Sequence, residues 1–337
     1  MSGPASRAPL LPPFVAAAVL ACGVVLLRFA VQGRTGLNPA DEGFFWYGVQ
    51  RVLHGEVPIR DFMAYDIGRY YVSAAGLWLA GDDGVVALRV VVALFQALVL
   101  ALVLRAAMGW ERRWPVLLAI ALVLALWMWH WFRIFDYAAS LLLFCAAAWL
   151  AAAPGPRRAL VAGVVLGAVA TIGRNHGVYG AFGLAVVALA ATPGQASRLR
   201  VSGALAAGTL LGYLPMVVLF AADAGFRVAF VADIREMLAY GATNLELPVP
   251  WPHRAFAPGL PAAEMLHRFL LGCGFVALPL FVAATAVRAW RHGVASLPPA
   301  LLAAAALALP YAHFAFSRAD LDHLAAGIFP LLMGLFA

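Results

Sequence analysis

The acidic side chains are the residues of this chain whose surroundings could make them reactive. Asp41 and Glu42 stand together in Asn38-Pro39-Ala40-Asp41-Glu42-Gly43, directly after a long apolar run. A carboxylate can take the proton of a hydroxyl as that hydroxyl attacks an electrophilic carbon. Neighbouring residues on a helix point about 100° apart, so these two carboxylates would not face one atom. One could act as a base while the other holds the loop or a metal. The structural alternative is a cap on an interfacial helix, with an acid at the positive end of the helix dipole. Asp136 stands in Arg133-Ile134-Phe135-Asp136-Tyr137, in a very short turn between two apolar runs. A charge at that depth is a functional hypothesis by default, and a structural ion pair with Arg133 is its alternative.

Two more polar turns, Arg174-Asn175-His176 and Ser317-Arg318-Ala319-Asp320-Leu321-Asp322-His323, have the same character. Their Arg and His side chains could bind an anionic head group, because a guanidinium matches phosphate oxygens in pairs. Ordinary contact with lipid head groups would also account for them. Trp127, Trp129, Trp131 and Phe132 form either an interfacial aromatic belt or the lining of a sugar or lipid groove.

The elements that must position these residues follow from composition. The chain has 337 residues, 64% hydrophobic and 12% charged, with mean hydropathy +0.90. A soluble domain carries about 25% charged residues, so a soluble, disordered, collagen-like, coiled-coil or disulfide-built protein is excluded. The reading is an all-α polytopic membrane protein. Ten apolar stretches are candidate spans: 10–31, 85–108, 114–132, 135–153, 158–173, 177–192, 201–222, 267–289, 297–316 and 323–337. Cys22, Cys145 and Cys273 all fall inside apolar runs, which suits neither a disulfide framework nor a zinc site. The run continues from Cys22 to Leu27, so the first stretch reads as an uncleaved helix rather than a lipoprotein signal.

Orientation follows from the arginines. With the N-terminus in the cytoplasm, the inside loops hold ten arginines and Glu111 as their only acid, a net +9, against −2 for the rest of the +7 chain. The positive charge flanks apolar segments and is spread along the chain, which points to membrane topology and away from nucleic acid. Two outside loops are long, 32–84 and 223–266, and no separate soluble domain is expected: 1–337 reads as a single membrane domain. In the first loop Phe45, Val49, Val52 and Leu53 recur at helical spacing opposite Gln50, Arg51 and His54, an amphipathic helix suited to the interface. Tyr70 to Ala80 is apolar but too short to span. Gly163/Gly167, Gly173/Gly177 and Gly208/Gly212 are small pairs that would let helices approach closely.

Asp41-Glu42-Gly43-Phe44 is followed by Gly55-Glu56-Val57-Pro58-Ile59-Arg60-Asp61-Phe62 and then by Tyr65-Asp66-Ile67-Gly68-Arg69-Tyr70-Tyr71. This order resembles the first outside loop of the GT-C membrane glycosyltransferases. The similarity is to the branch with protein O-mannosyltransferases, aminoarabinose transferases and transferases of lipopolysaccharide core sugars. Leu88-Arg89, Asp136, and Arg318 with His323 fit the same order. The chain departs from the branch at Ile67-Gly68, where relatives often carry a Pro-Pro pair. The resemblance implies a sugar moved from a polyprenyl-phosphate donor to an acceptor hydroxyl on a glycan, lipid or protein. The active site would face outward from a bacterial plasma (inner) membrane, among membrane lipids. It makes Asp41 the base, Asp136 a second acid and Glu42 an alternative base. Arg69, Arg318 and His323 would meet the phosphate, with Arg60, Asp61, Tyr70, Arg174 and His176 as further substrate-binding candidates. A divalent metal is a possible cofactor, with its ligands open. Two other classes compete. A transporter or flippase predicts charge at the middle of helices, whereas here it gathers at one face. A membrane assembly subunit predicts no catalysis.

Overall fold

The computed structural model describes residues 12–240 and 247–337, and these are helical, with no strand among the described residues. Residues 10 and 11 of the first apolar stretch and residues 241–246 of the second long loop lie outside the described residues. The helices are α1 (Pro13–Gln32), α2 (Glu42–Leu53), α3 (Ile67–Ala80), α4 (Val85–Ala107), α5 (Trp114–Trp127), α6 (Ile134–Ala152), α7 (Pro156–Ile172) and α8 (Arg174–Ala191). They continue as α9 (Gln195–Gly212), α10 (Leu214–Ala222), α11 (Ala224–Tyr240), α12 (Ala262–His292), α13 (Pro299–Ser317), α14 (Leu321–Gly327) and α15 (Phe329–Phe336).

Five stretches are long and apolar enough to cross a bilayer: α1, α4, residues 131–152 containing α6, α12 and α13. α9 and α10 together make a sixth, bent by 54°. These helices mark the chain as a membrane protein. The bend has a local cause. Pro215 stands in the first turn of α10, lacks an N–H, and its ring would clash with the Leu211 carbonyl if the helix ran straight on. α1, α5, α7, α13 and α15 also begin with proline in their first two positions, where the missing N–H costs no helical bond.

α6 is the central helix. It contacts α4, α7, α8, α13 and α15, and Phe135, Tyr137, Leu141 and Phe144 on it are fully buried. The amphipathic helix expected over residues 45–54 is α2, which buries Phe45 and Val49 and leaves His54 exposed at its end. The short apolar stretch from Tyr70 lies within α3, which ends on Gly81 at φ 65°, a left-handed cap that glycine adopts without strain. Gly68, the departure from the Pro-Pro pattern, has a packing role. A Cβ there would come within 2.5 Å of the Thr171 carbonyl oxygen, so glycine lets α3 meet the end of α7.

Two of the three glycine pairs face each other. A Cβ on Gly163 or Gly167 would lie 2.2 Å from the carbonyl oxygen of Leu205 or Thr209. One on Gly208 or Gly212 would lie 2.0 or 2.1 Å from that of Leu160 or Val164. The backbones of α7 and α9 are therefore in direct contact, as small residues permit. Gly208→Val should force them apart and lower stability by about 1–3 kcal/mol, the usual range for overpacking. Unfolding of the purified variant in detergent measures this, and a change within about 0.5 kcal/mol of zero would contradict the packing account.

Candidate functional site

The outside loop is anchored first. Arg89, near the start of α4, is 4% exposed and meets Glu42, also 4% exposed. Arg89 Nε and Nη2 donate to the two Glu42 oxygens, each at 2.6 Å. Nη1 reaches the carbonyls of Gly33 and Thr35 at 3.2 and 3.1 Å, and Nη2 that of Gly36 at 2.6 Å. The guanidinium thus fastens the end of α1, the following turn and the start of α2 to α4. Glu42 is occupied in this clamp, which leaves Asp41 as the carboxylate open to a substrate.

Asp41 is exposed at the entry to α2. It occupies the N-cap position of α2, at the positive end of the helix dipole, but its side chain makes no capping hydrogen bond. Asn38 Nδ2 donates to Asp41 Oδ2 at 3.0 Å, while Asn38 Oδ1 accepts from the backbone N–H groups of Ala40 and Asp41, each at 3.1 Å. Among the described residues no cation lies within 4 Å of the Asp41 carboxylate. One acid of the adjacent pair is buried and the other exposed, in keeping with the roughly 100° turn between neighbouring helical residues.

Asp136 lies in the first turn of α6 and pairs with Arg69 rather than with Arg133. Arg69 Nη2 is 2.8 Å from Asp136 Oδ1 and Nη1 is 3.4 Å from Oδ2. The same guanidinium reaches Asp66 Oδ2 at 3.2 Å and the Ile172 carbonyl at 3.3 Å. His176 Nε2 lies 3.2 Å from Asp136 Oδ1, and its Nδ1 lies 2.7 Å from the Tyr311 hydroxyl. Arg174 completes the group: its backbone N–H donates to Asp66 Oδ1 at 2.8 Å and its guanidinium pairs with Asp66 and Asp233. One network, buried at Asp136, Arg69 and His176 and half-exposed at Arg174 and Asp233, therefore joins α3, α6, α8, α11 and α13. Arg69, Asp136, Arg174 and His176 were singled out from the sequence. Asp66, Tyr311 and Asp233 were not. Asp66 did carry a signal, since it stands three residues before Arg69 at the start of a helix, within reach of an i,i+3 pair.

Arg60 and Asp61 form a separate cluster. Arg60 Nε and Nη2 donate to Asp61 Oδ1 and Oδ2 at 2.9 and 2.7 Å, and Nη1 pairs with Asp223 ahead of α11. These bonds to Arg60, with the Val57 N–H on Asp61 Oδ2, hold the Asp61 carboxyl down at about 2. Ile59 presents the cluster at φ 72°, a conformation that costs a non-glycine residue roughly 1–3 kcal/mol. Tyr70 is 1% exposed and packs its ring on Phe45 and Phe62; burial raises its phenol to about 12. It is a packing residue rather than one open to a substrate.

Arg318 and His323 meet in a third cluster. Arg318 Nε lies 2.8 Å from Asp320 Oδ2. Asp320 Oδ1 accepts from the His323 backbone N–H and lies against its Nδ1, both at 2.8 Å, which caps α14. Among the described residues no three His, Cys, Asp or Glu side chains gather as a metal site. Two surface grooves of about 480 and 470 Å³ lie elsewhere. One runs between Leu53, Trp78 and the Gly81–Asp83 turn, and the other beside Arg288, Arg291 and His292; neither includes Asp41 or Asp136. No protein-family model, curated protein or solved structure matches the chain.

Proposed function

We propose that this chain is a membrane glycosyltransferase with ten spans that moves a sugar from a polyprenyl-phosphate donor to an acceptor hydroxyl on the outer face. The observation that carries the reading is the contrast between the acids. Glu42 and Asp136 are neutralised by arginines held in place, whereas Asp41 stands exposed at a fixed loop with no cation within 4 Å among the described residues. An unpaired carboxylate on an anchored backbone is what general-base work requires. In the proposed step the acceptor oxygen attacks the anomeric carbon, and its proton passes to Asp41. The bond from that carbon to the phosphate oxygen breaks, and polyprenyl phosphate leaves with the electron pair. Cationic side chains at the same end, Arg318 among them, would offset the charge that develops on the leaving phosphate.

The Asp136–Arg69–His176–Tyr311 network is the scaffold behind this step: its members satisfy one another and hold α3, α6, α8 and α13 in register. A transport reading has one observation in its favour. Gln96, fully buried near the middle of α4, accepts from Arg28 at 2.8 Å. Arg28 also donates to the Trp129 carbonyl at 2.9 Å, so this polar group is closed upon itself rather than open to a path.

Radiolabelled polyprenyl-phosphate sugar added to membranes with and without the protein tests the function. Label should leave the lipid fraction only where the protein is present, and no difference would count against transfer. Sidedness is tested separately, with the native cysteines at 22, 145 and 273 removed. A cysteine placed at Met63, which is 69% exposed, should react with an impermeant reagent on whole cells. One placed at Gln195, exposed at the start of α9 on the side assigned to the cytoplasm, should react only after lysis. The opposite pattern would overturn the orientation.

A further inference from the structure

Buried donors and acceptors are almost always partnered in a folded protein, and each exception calls for a physical explanation. Several exceptions here fall together at the N-terminal end of α6. Tyr137 is fully buried, yet among the described residues its hydroxyl has no hydrogen-bond partner. Arg133 Nε is buried and equally without one, and among the described residues no carboxylate lies within 4 Å of that guanidinium. His130 Nδ1 is in the same condition, with the Asp322 carboxylate 3.6 Å away. Arg318 Nε lies close to Asp320 but without hydrogen-bond geometry.

Arg133 and Tyr137 are four residues apart across the first turn of α6, so they share one face. Side chains on a helix lean toward its N-terminus, which brings the Tyr137 hydroxyl back toward Arg133. A half-buried guanidinium and a fully buried hydroxyl, both unpaired and on one face, are donors arranged for an anion with several acceptor oxygens.

We propose that Arg133 and Tyr137 form an anion-binding pocket at the N-terminal end of α6, and that its ligand is the phosphate of a polyprenyl-phosphate lipid. The anion pocket stands on the unpaired donors alone; its assignment to the lipid rests on the proposed function. The site differs from those expected from the sequence resemblance, because Arg69 is saturated by Asp66 and Asp136, whereas Arg133 lies over the Phe132 ring with no carboxylate within 4 Å among the described residues.

The test uses the purified full chain in detergent, with labelled polyprenyl phosphate and with inorganic phosphate as probes. Arg133→Gln should weaken lipid binding about 10–100-fold, the usual worth of a hydrogen bond to a charged group. Tyr137→Phe should weaken it about 10-fold and leave the melting temperature unchanged or raised, since folding loses no bond with that hydroxyl. A purely structural role predicts the reverse: a lower melting temperature with binding unchanged. Wild-type affinity in both variants would overturn the pocket. Binding of inorganic phosphate that both variants weaken, with no binding of the lipid, would overturn the lipid assignment. Lipid binding that both variants weaken, in a protein that transfers no sugar, would leave the pocket standing and remove the glycosyltransferase reading.

Discussion

Asp41→Asn is expected to lower sugar transfer about 10²–10⁴-fold, the range for loss of a general base, while the protein accumulates and inserts like the wild type. The substitution keeps the size of the side chain and its hydrogen bond to Asn38, and removes only basicity. The Asp41 side chain makes no capping hydrogen bond and pairs with no cation among the described residues, so little folding energy is at stake. Catalytic and structural effects therefore separate cleanly at this position. Transfer is measured in membranes normalised to protein level. Activity above about a tenth of wild type would lie well outside the range for a lost base and would remove Asp41 from that role.

Arg89→Met should produce the largest loss of stability, about 3–5 kcal/mol, as expected when one partner of a buried ion pair is removed. The Glu42 carboxylate would be left buried and uncompensated, and the carbonyls of Gly33, Thr35 and Gly36 would lose their donors. Adding Glu42→Gln to Arg89→Met should recover part of the loss, because it removes the stranded charge. Reversible unfolding of the single and double variants in mixed detergent measures both terms. A loss below about 1 kcal/mol for Arg89→Met, or a double variant no more stable than that single one, would show that the clamp does not hold the loop. The clamp also fixes the backbone beside Asp41, so Arg89→Met should reduce transfer even where folded protein remains.

What was legible in the sequence is what local periodicity and punctuation encode. Phe45 and Val49, at helical spacing, do face inward on α2, and the stretch read as 85–108 is α4, Val85–Ala107. The stretch read as 201–222 is two helices because Pro215 interrupts it, although Pro310 leaves α13 continuous. The charge partners were not legible. Asp136 stands beside Arg133 in sequence but pairs with Arg69, 67 positions away, and Glu42 pairs with Arg89, 47 positions away. Choosing between two arginines requires knowing which helices become neighbours, and no local pattern carries that. The same limit hid the unpaired donors of Arg133 and Tyr137, since such a donor is visible only once every other donor has found its partner.

The central claim is transfer from a lipid-linked donor, and purified protein in liposomes loaded with a labelled polyprenyl-phosphate sugar and an acceptor tests it most directly. Free polyprenyl phosphate should be released in equal amount to sugar transferred, with both products lost in Asp41→Asn. Donor left intact by folded wild-type protein, or consumed equally by Asp41→Asn, would contradict it.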